Sequence, residues 1–212
     1  MNPVYLALIG SVLCLDVIAV AQIMISRPVV VGALLGFLLG DLKAGLFIGA
    51  IIELVWIAVI PVGLSVPPDV TVSAVLANCW YLAGDEKSAL AKLAAIMVCI
   101  PAGIIFKKFD IMHRQFNVRL VRYVDKKLEA GDEGVITSVS LFGVFLFFLK
   151  AFIFFIVFIP AGIWALNVFC RFAAVIPGVA AIRASADFAL MLTPAIGLGV
   201  LLGTFGKKYE KT

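Results

Sequence analysis

The chain has 212 residues, of which 64% are hydrophobic and 14% charged, with a net charge of +4 and a mean hydropathy of +1.17. An ordinary soluble domain is roughly 45–50% apolar and about 25% charged, and one of this size cannot hide so much apolar surface. A soluble enzyme, a disordered chain and a fibrous repeat are excluded, and apolar runs that are continuous rather than alternating argue against a transmembrane barrel, which leaves an all-α polytopic membrane protein.

Apolar segments cover residues 4–25, 29–39, 42–60, 70–83, 88–106, 137–159, 161–182 and 186–205. The first reads as a retained span, because residues 1–26 carry no Lys or Arg and so lack the charged region of a secretory signal. Residues 28–60 as one straight helix would reach roughly 50 Å, against a hydrocarbon core of about 30 Å. Gly40-Asp41 divides them, so a re-entrant hairpin or discontinuous helix is expected. Gly32, Gly36 and Gly40 repeat every four residues, as do Gly45 and Gly49, and Glu53 continues the second row. Such rows lie on one helix face and let helices approach closely in lipid. Pro67 and Pro68 force an extended entry into 70–83. That helix, at roughly 21 Å, is too short to cross alone, which puts the Val66-Pro67-Pro68-Asp69 turn below the membrane surface.

Seven of the 17 Lys and Arg residues fall between Lys107 and Lys127, and three more are Lys207, Lys208 and Lys211. The positive-inside rule explains both clusters and makes 107–134 a basic cytoplasmic loop. No basic stripe on a soluble face calls for nucleic acid. Residues 137–159 then lead outward and 186–205 return. Residues 161–182, with Pro160, Pro177 and Pro194 as interruptions, read as re-entrant or surface-lying. The expected architecture is one membrane permease domain over 1–212, with about five crossings and two re-entrant or discontinuous elements, its N-terminus outside and its C-terminus cytoplasmic. A weak echo links Ile100-Pro101-Ala102-Gly103-Ile104 to Ile159-Pro160-Ala161-Gly162-Ile163.

Charged groups at membrane depth carry the chemical information, since each costs about 2.5–3.5 kcal/mol at a helix centre unless it faces protein or water. Candidates are Asp16, Asp41, Lys43, Glu53, Asp69, Lys150, Arg171, Arg183 and Asp187. Glu53 lies on the packed glycine face, either bonded to a neighbouring backbone or hydroxyl group or facing a substrate. Asp41, with Gly40, reads as a structural turn and N-cap. Asp69 reads equally as a cap or as a ligand group, because a short helix N-terminus at mid-depth is a usual ligand position in transporters. Gln22 can both donate and accept, which suits a hydroxyl-rich solute. Trp56 lies one turn from Glu53, to stack on a sugar ring or to anchor at the interface. Eight phenylalanines between Phe142 and Phe158 form a lipid-facing or packing surface. Cys14, Cys79, Cys99 and Cys170 read as small buried hydrophobes, and His113, the single histidine, as a solvated loop residue. No catalytic group, metal site or cofactor is expected: phosphate loop, metal signature and nucleophile elbow are all missing from the pattern.

Ser26-Arg27-Pro28, Gly32, Leu39-Gly40-Asp41, Gly45, Ile48-Gly49, Glu53-Leu54, Pro61-Val62-Gly63 and Pro67-Pro68-Asp69 follow one another in an order and spacing that resembles the IIC membrane subunit of mannose/sorbose-family sugar phosphotransferase systems. Leu15-Asp16 and Gln22 also suit some branches, and the resemblance covers about residues 12–80. It implies a bacterial inner-membrane sugar permease that pairs with a IID membrane subunit as a trimer of heterodimers. Cytoplasmic phospho-IIB, recharged through IIA, would phosphorylate the imported sugar. The resemblance also implies that Glu53 and Asp69, with Gln22 less securely, face a hexose-like sugar, and that Asp41 sits at the hairpin turn. Residues 137–212 carry no clear family motif. The alternatives are an ion- or proton-coupled secondary transporter using buried carboxylates, or a structural membrane scaffold. Besides sugar, IID, IIB and IIA, the expected contact is membrane lipid.

Overall fold

A computed structural model describes residues 2–18, 22–57, 68–129, 132, 134–176 and 178–206. Among them are seven helices: α1 (Pro3–Ile18), α2 (Pro28–Leu39), α3 (Leu42–Trp56), α4 (Val70–Leu82), α5 (Ala89–Glu129), α6 (Gly134–Val175) and α7 (Val179–Gly206).

The α2–α3 hairpin arises where the sequence pattern puts it. Pro28 opens α2 at a position that needs no amide proton. Gly40 ends it at φ 85°, a left-handed conformation that costs glycine little. Asp41 restarts the chain, its Oδ1 accepting from Ala44 N at 2.9 Å. The two glycine rows then face each other: a β-carbon at Gly32 would meet Gly49 Cα at 3.1 Å, and one at Gly36 would meet Gly45 Cα at 3.1 Å. Only glycine on both sides permits so close a backbone approach.

Helix α4 is the centre of the molecule. Every residue from Thr71 to Leu82 is buried, and α1, α2, α3, α5 and α6 all pack on it. A 13-residue helix that is apolar all round can be stable only when enclosed on every side. Both of its ends are closed by side chains. At the N-terminus, Asp69 Oδ1 accepts from Val72 N at 3.0 Å. At the C-terminus, Lys87 Nζ donates to Tyr81 O and Leu82 O, each at 2.7 Å, which opposes the negative end of the dipole. Burial holds the Lys87 ammonium below its ordinary pKa, while Asp41 and Asp85 pull it back up.

The second half of the chain departs from expectation. Residues 107–129 are not a loop; they continue α5, a 41-residue rod of roughly 60 Å that passes through Pro101. Nor do 137–159 and 161–182 form a span followed by a re-entrant segment. One helix, α6, runs from Gly134 to Val175 through Pro160, and the turn falls at Gly178, φ 85°. A proline inside a helix is tolerated in lipid when neighbouring groups satisfy the freed backbone. The break instead needs a residue that adopts the left-handed conformation, which Gly178 supplies. By length and composition, α5, α6 and α7 are long and apolar enough to cross a membrane, while α1, α2 and α4 are shorter apolar helices. Large side chains such as Phe37, Trp164, Phe172 and Met191 are exposed, as a lipid-facing surface requires.

Candidate functional site

The N-terminal end of α4 opens on a cavity of about 460 Å³, with Glu53 and Trp56 from α3, Asp69, Thr71, and Lys107, Asp110 and Arg114 from α5 on its walls. Glu53 lies on the packed face that its glycine row points to. Its Oε2 accepts from Val29 N at 3.2 Å, and its Oε1 lies 3.3 Å from the Arg27 guanidinium. Asp69 caps α4 and lines the cavity at once. Thr71 Oγ1 donates to Ser26 O at 3.1 Å and ties the segment before α2 to α4. Trp56 is partly buried in the wall, with no hydrogen-bond partner for Nε1 among the described residues.

Asp16 has a structural task. Its carboxylate accepts from Ile23 N at 2.9 Å, Ser26 N at 3.2 Å and Ser26 Oγ at 2.9 Å, which fixes the turn before α2. Gln22 stands in that turn with φ 50° and lines a neighbouring cavity of about 310 Å³. The two cavities share Val17, Ser26 and Arg27, so Gln22 adjoins the Glu53–Asp69 cavity without lining it. Asp41 and Gly40 lie at the opposite end of the hairpin, as turn and cap. Lys43, Arg171, Arg183 and Asp187 are exposed and lie outside it. Residues 58–67, which hold Pro61-Val62-Gly63 and Val66-Pro67, fall outside the described residues.

Sequence reasoning missed Asp110 and Arg114. Asp110, only 8% exposed, accepts from Arg114 Nε at 2.8 Å and from Lys150 Nζ at 2.9 Å. Lys150 comes from α6 and sits over the Phe106 and Phe147 rings, 4.6 and 4.1 Å from their centroids. The available signal was Asp110 followed four residues later by Arg114, a helical ion-pair spacing hidden by reading the segment as a loop.

The cavity's formal charges balance: Glu53, Asp69 and Asp110 against Arg27, Lys107 and Arg114. Acceptors and donors are therefore both plentiful on its walls. That suits a neutral solute rich in hydroxyls, which both donate and accept.

The family of PTS system sorbose-specific IIC components matches residues 3–210. The mannose-specific EIIC component of Escherichia coli (strain K12) is 31% identical over 142 residues, which is 67% of this chain and 50% of that protein. A putative N-acetylgalactosamine permease IIC component 2 of the same strain is 34% identical over 88 residues, 41% of this chain and 65% of that one. The chain spans about half the length of the mannose-specific relative. In fold, it is similar to the cryo-EM structure of the mannose transporter ManYZ in complex with microcin E492 (MceA), with a TM-score of 0.60, 23% identity, and coverage of 96% of this chain and 77% of that one. With a match running from residue 3 to residue 210, the chain belongs to the sorbose-specific IIC component family.

Proposed function

We propose that the chain is the permease subunit that carries a hexose-like sugar across the bacterial cytoplasmic membrane in a phosphoenolpyruvate-dependent phosphotransferase system. The observation that carries this reading is the charge-balanced cavity on which Glu53 and Asp69 converge from α3 and the start of α4. A neutral sugar is held there by hydroxyl bonds to carboxylates and to the cations beside them, with Trp56 offering an apolar face. Gln22 contributes from the adjoining cavity. The subunit itself transfers no phosphoryl group; IIB, recharged through IIA, phosphorylates the sugar on the cytoplasmic side, which makes import vectorial.

The topology that fits has five crossings, α1, α4, α5, α6 and α7, with the α2–α3 hairpin re-entrant. It puts the N-terminus outside and the C-terminus inside, in keeping with the seven basic residues on the distal half of α5. Neighbouring subunits enclose the short α4 further: a IID chain, with the pair repeated as a trimer of heterodimers.

The test is uptake of labelled mannose into cells that express the chain with its IIA, IIB and IID partners. Uptake that depends on phosphoenolpyruvate and survives collapse of the proton and sodium gradients supports the reading. Dependence on a gradient instead establishes the carboxylates as ion carriers and overturns it. Glu53→Gln and Asp69→Asn are expected to lower uptake at least tenfold at normal membrane abundance. Full uptake by both removes them from the site.

A further inference from the structure

A second cavity, of about 570 Å³, lies between the distal half of α5 and the beginning of α6. Asp110 and Arg114 line both it and the Glu53–Asp69 cavity. The two spaces therefore adjoin at one hydrogen-bonded carboxylate–guanidinium pair. Lys150 fixes that pair from the α6 side, with its ammonium held on Asp110 at 2.9 Å.

Polar groups gather at the end of the second cavity that touches this pair. Asp110, His113, Arg114 and Asn117 form one stripe of α5 at helical spacing, and beyond them the stripe becomes apolar at Leu120, Val121 and Val124. The contacts of Lys150 with Asp110 and of Phe147 with His113, whose rings lie 5.9 Å apart, set an antiparallel register that brings Asn117 level with Gly143. Asn117 Oδ1 is buried and has no hydrogen-bond partner among the described residues. Gly143 has nothing within 4 Å of where a β-carbon would stand, so the cavity is open beside it. An unsatisfied buried acceptor next to open space is costly unless a polar visitor completes it.

We propose that this second cavity is the inner vestibule through which the sugar leaves the Glu53–Asp69 cavity, with the Asp110–Arg114 pair as the partition it passes and Asn117 as the hydroxyl-binding group beyond. The proposal rests on the sugar-permease reading. Opening the partition requires Arg114 to release Asp110, and Lys150 keeps the carboxylate neutralised in place while it does so. The sugar exchanges its bonds to Asp110 and Arg114 for one to Asn117 without meeting an apolar barrier.

Gly143→Phe tests this directly, because the added side chain starts in open space on the cavity wall. Gly199→Phe is the bulk-matched control; Gly199 lies on α7, is exposed, and also has nothing within 4 Å of a β-carbon position. Two quantities are measured for each in the complete transporter: mannose binding to the detergent-purified complex, and labelled mannose uptake by cells. The expected result for Gly143→Phe is binding within twofold of the parent and uptake reduced at least tenfold, with both unchanged in Gly199→Phe. Asn117→Ala should lower uptake three- to tenfold with binding retained. Unimpaired uptake by Gly143→Phe overturns the vestibule while leaving the sugar reading intact. Loss of binding in Gly143→Phe in parallel with uptake also overturns it, since the plug would then act on the first cavity. Absence of binding of mannose, fructose, sorbose and N-acetylgalactosamine alike by the parent complex refutes the sugar reading, and the vestibule falls with it.

Discussion

The Trp80 indole of α4 lies where a β-carbon on Gly162 of α6 would stand, and its Nε1 donates to Phe158 O at 2.9 Å. Gly103 of α5 meets α4 in the same way, opposite Ser73 and 3.1 Å, measured from a β-carbon position, from Asp69 O. Each glycine follows a proline by two residues, so the Pro-Ala-Gly echo in the sequence corresponds to two close approaches to one helix. Ser73 and Trp80 are two turns apart on one stripe of α4.

The two sites should respond unequally to a methyl group. Trp80 is 3% exposed and rigid, so Gly162→Ala must move an indole and break its hydrogen bond. Overpacking of this kind costs about 1–3 kcal/mol. Ser73 can rotate away from a methyl at 103, and only the Asp69 carbonyl resists. Thermal unfolding of the detergent-solubilised protein is expected to drop by several degrees for Gly162→Ala and by less for Gly103→Ala. Equal shifts would contradict this account of the packing.

Asp110 and Lys150 should not be equivalent. Removing Lys150 leaves Asp110 its Arg114 partner at 2.8 Å. Removing Asp110 strands a lysine whose side chain is 14% exposed, between two phenylalanine rings, with no other carboxylate within ion-pair distance among the described residues. An uncompensated buried charge costs about 3–5 kcal/mol. Asp110→Leu is therefore expected to destabilise more than Lys150→Met, and the double variant less than the sum of the two. Stability measurements over this double-mutant cycle give the coupling, and additive losses would count against the pair.

Asp41 is a local device distant from the cavity. Asp41→Ala removes the cap on Ala44 N and should cost about 0.5–2 kcal/mol, while Asp41→Ser largely restores it. Sugar binding should be unchanged in both. A selective loss of binding, at parental stability, would instead give Asp41 a part in the site.

The first 57 residues were legible because their signals are short-range. A glycine that adopts φ 85° and an aspartate that caps the next helix are recognisable within four residues. The two glycine rows could be aligned by the 3.6-residue turn alone. From residue 107 onward the same rules misled. Basic residues there suppress hydropathy and resemble a loop, yet the helix runs on to Glu129, with the start of α6 facing it across the second cavity. Pro160 resembled a break for a related reason: proline forbids one hydrogen bond, but whether the helix then ends depends on what surrounds it.

Composition alone determined that the chain belongs in a bilayer, since no fold of 212 residues can enclose so large an apolar fraction. Sequence order alone determined the hairpin at Gly40-Asp41 and the cap at Asp41. Only tertiary structure decided that Glu53, Asp69 and Asp110 share one cavity and that Lys150 pairs with Asp110 from α6. Those residues come from α3, the start of α4, α5 and α6. Periodicity relates positions along one helix; the register between separate helices is set by packing, which no local pattern encodes.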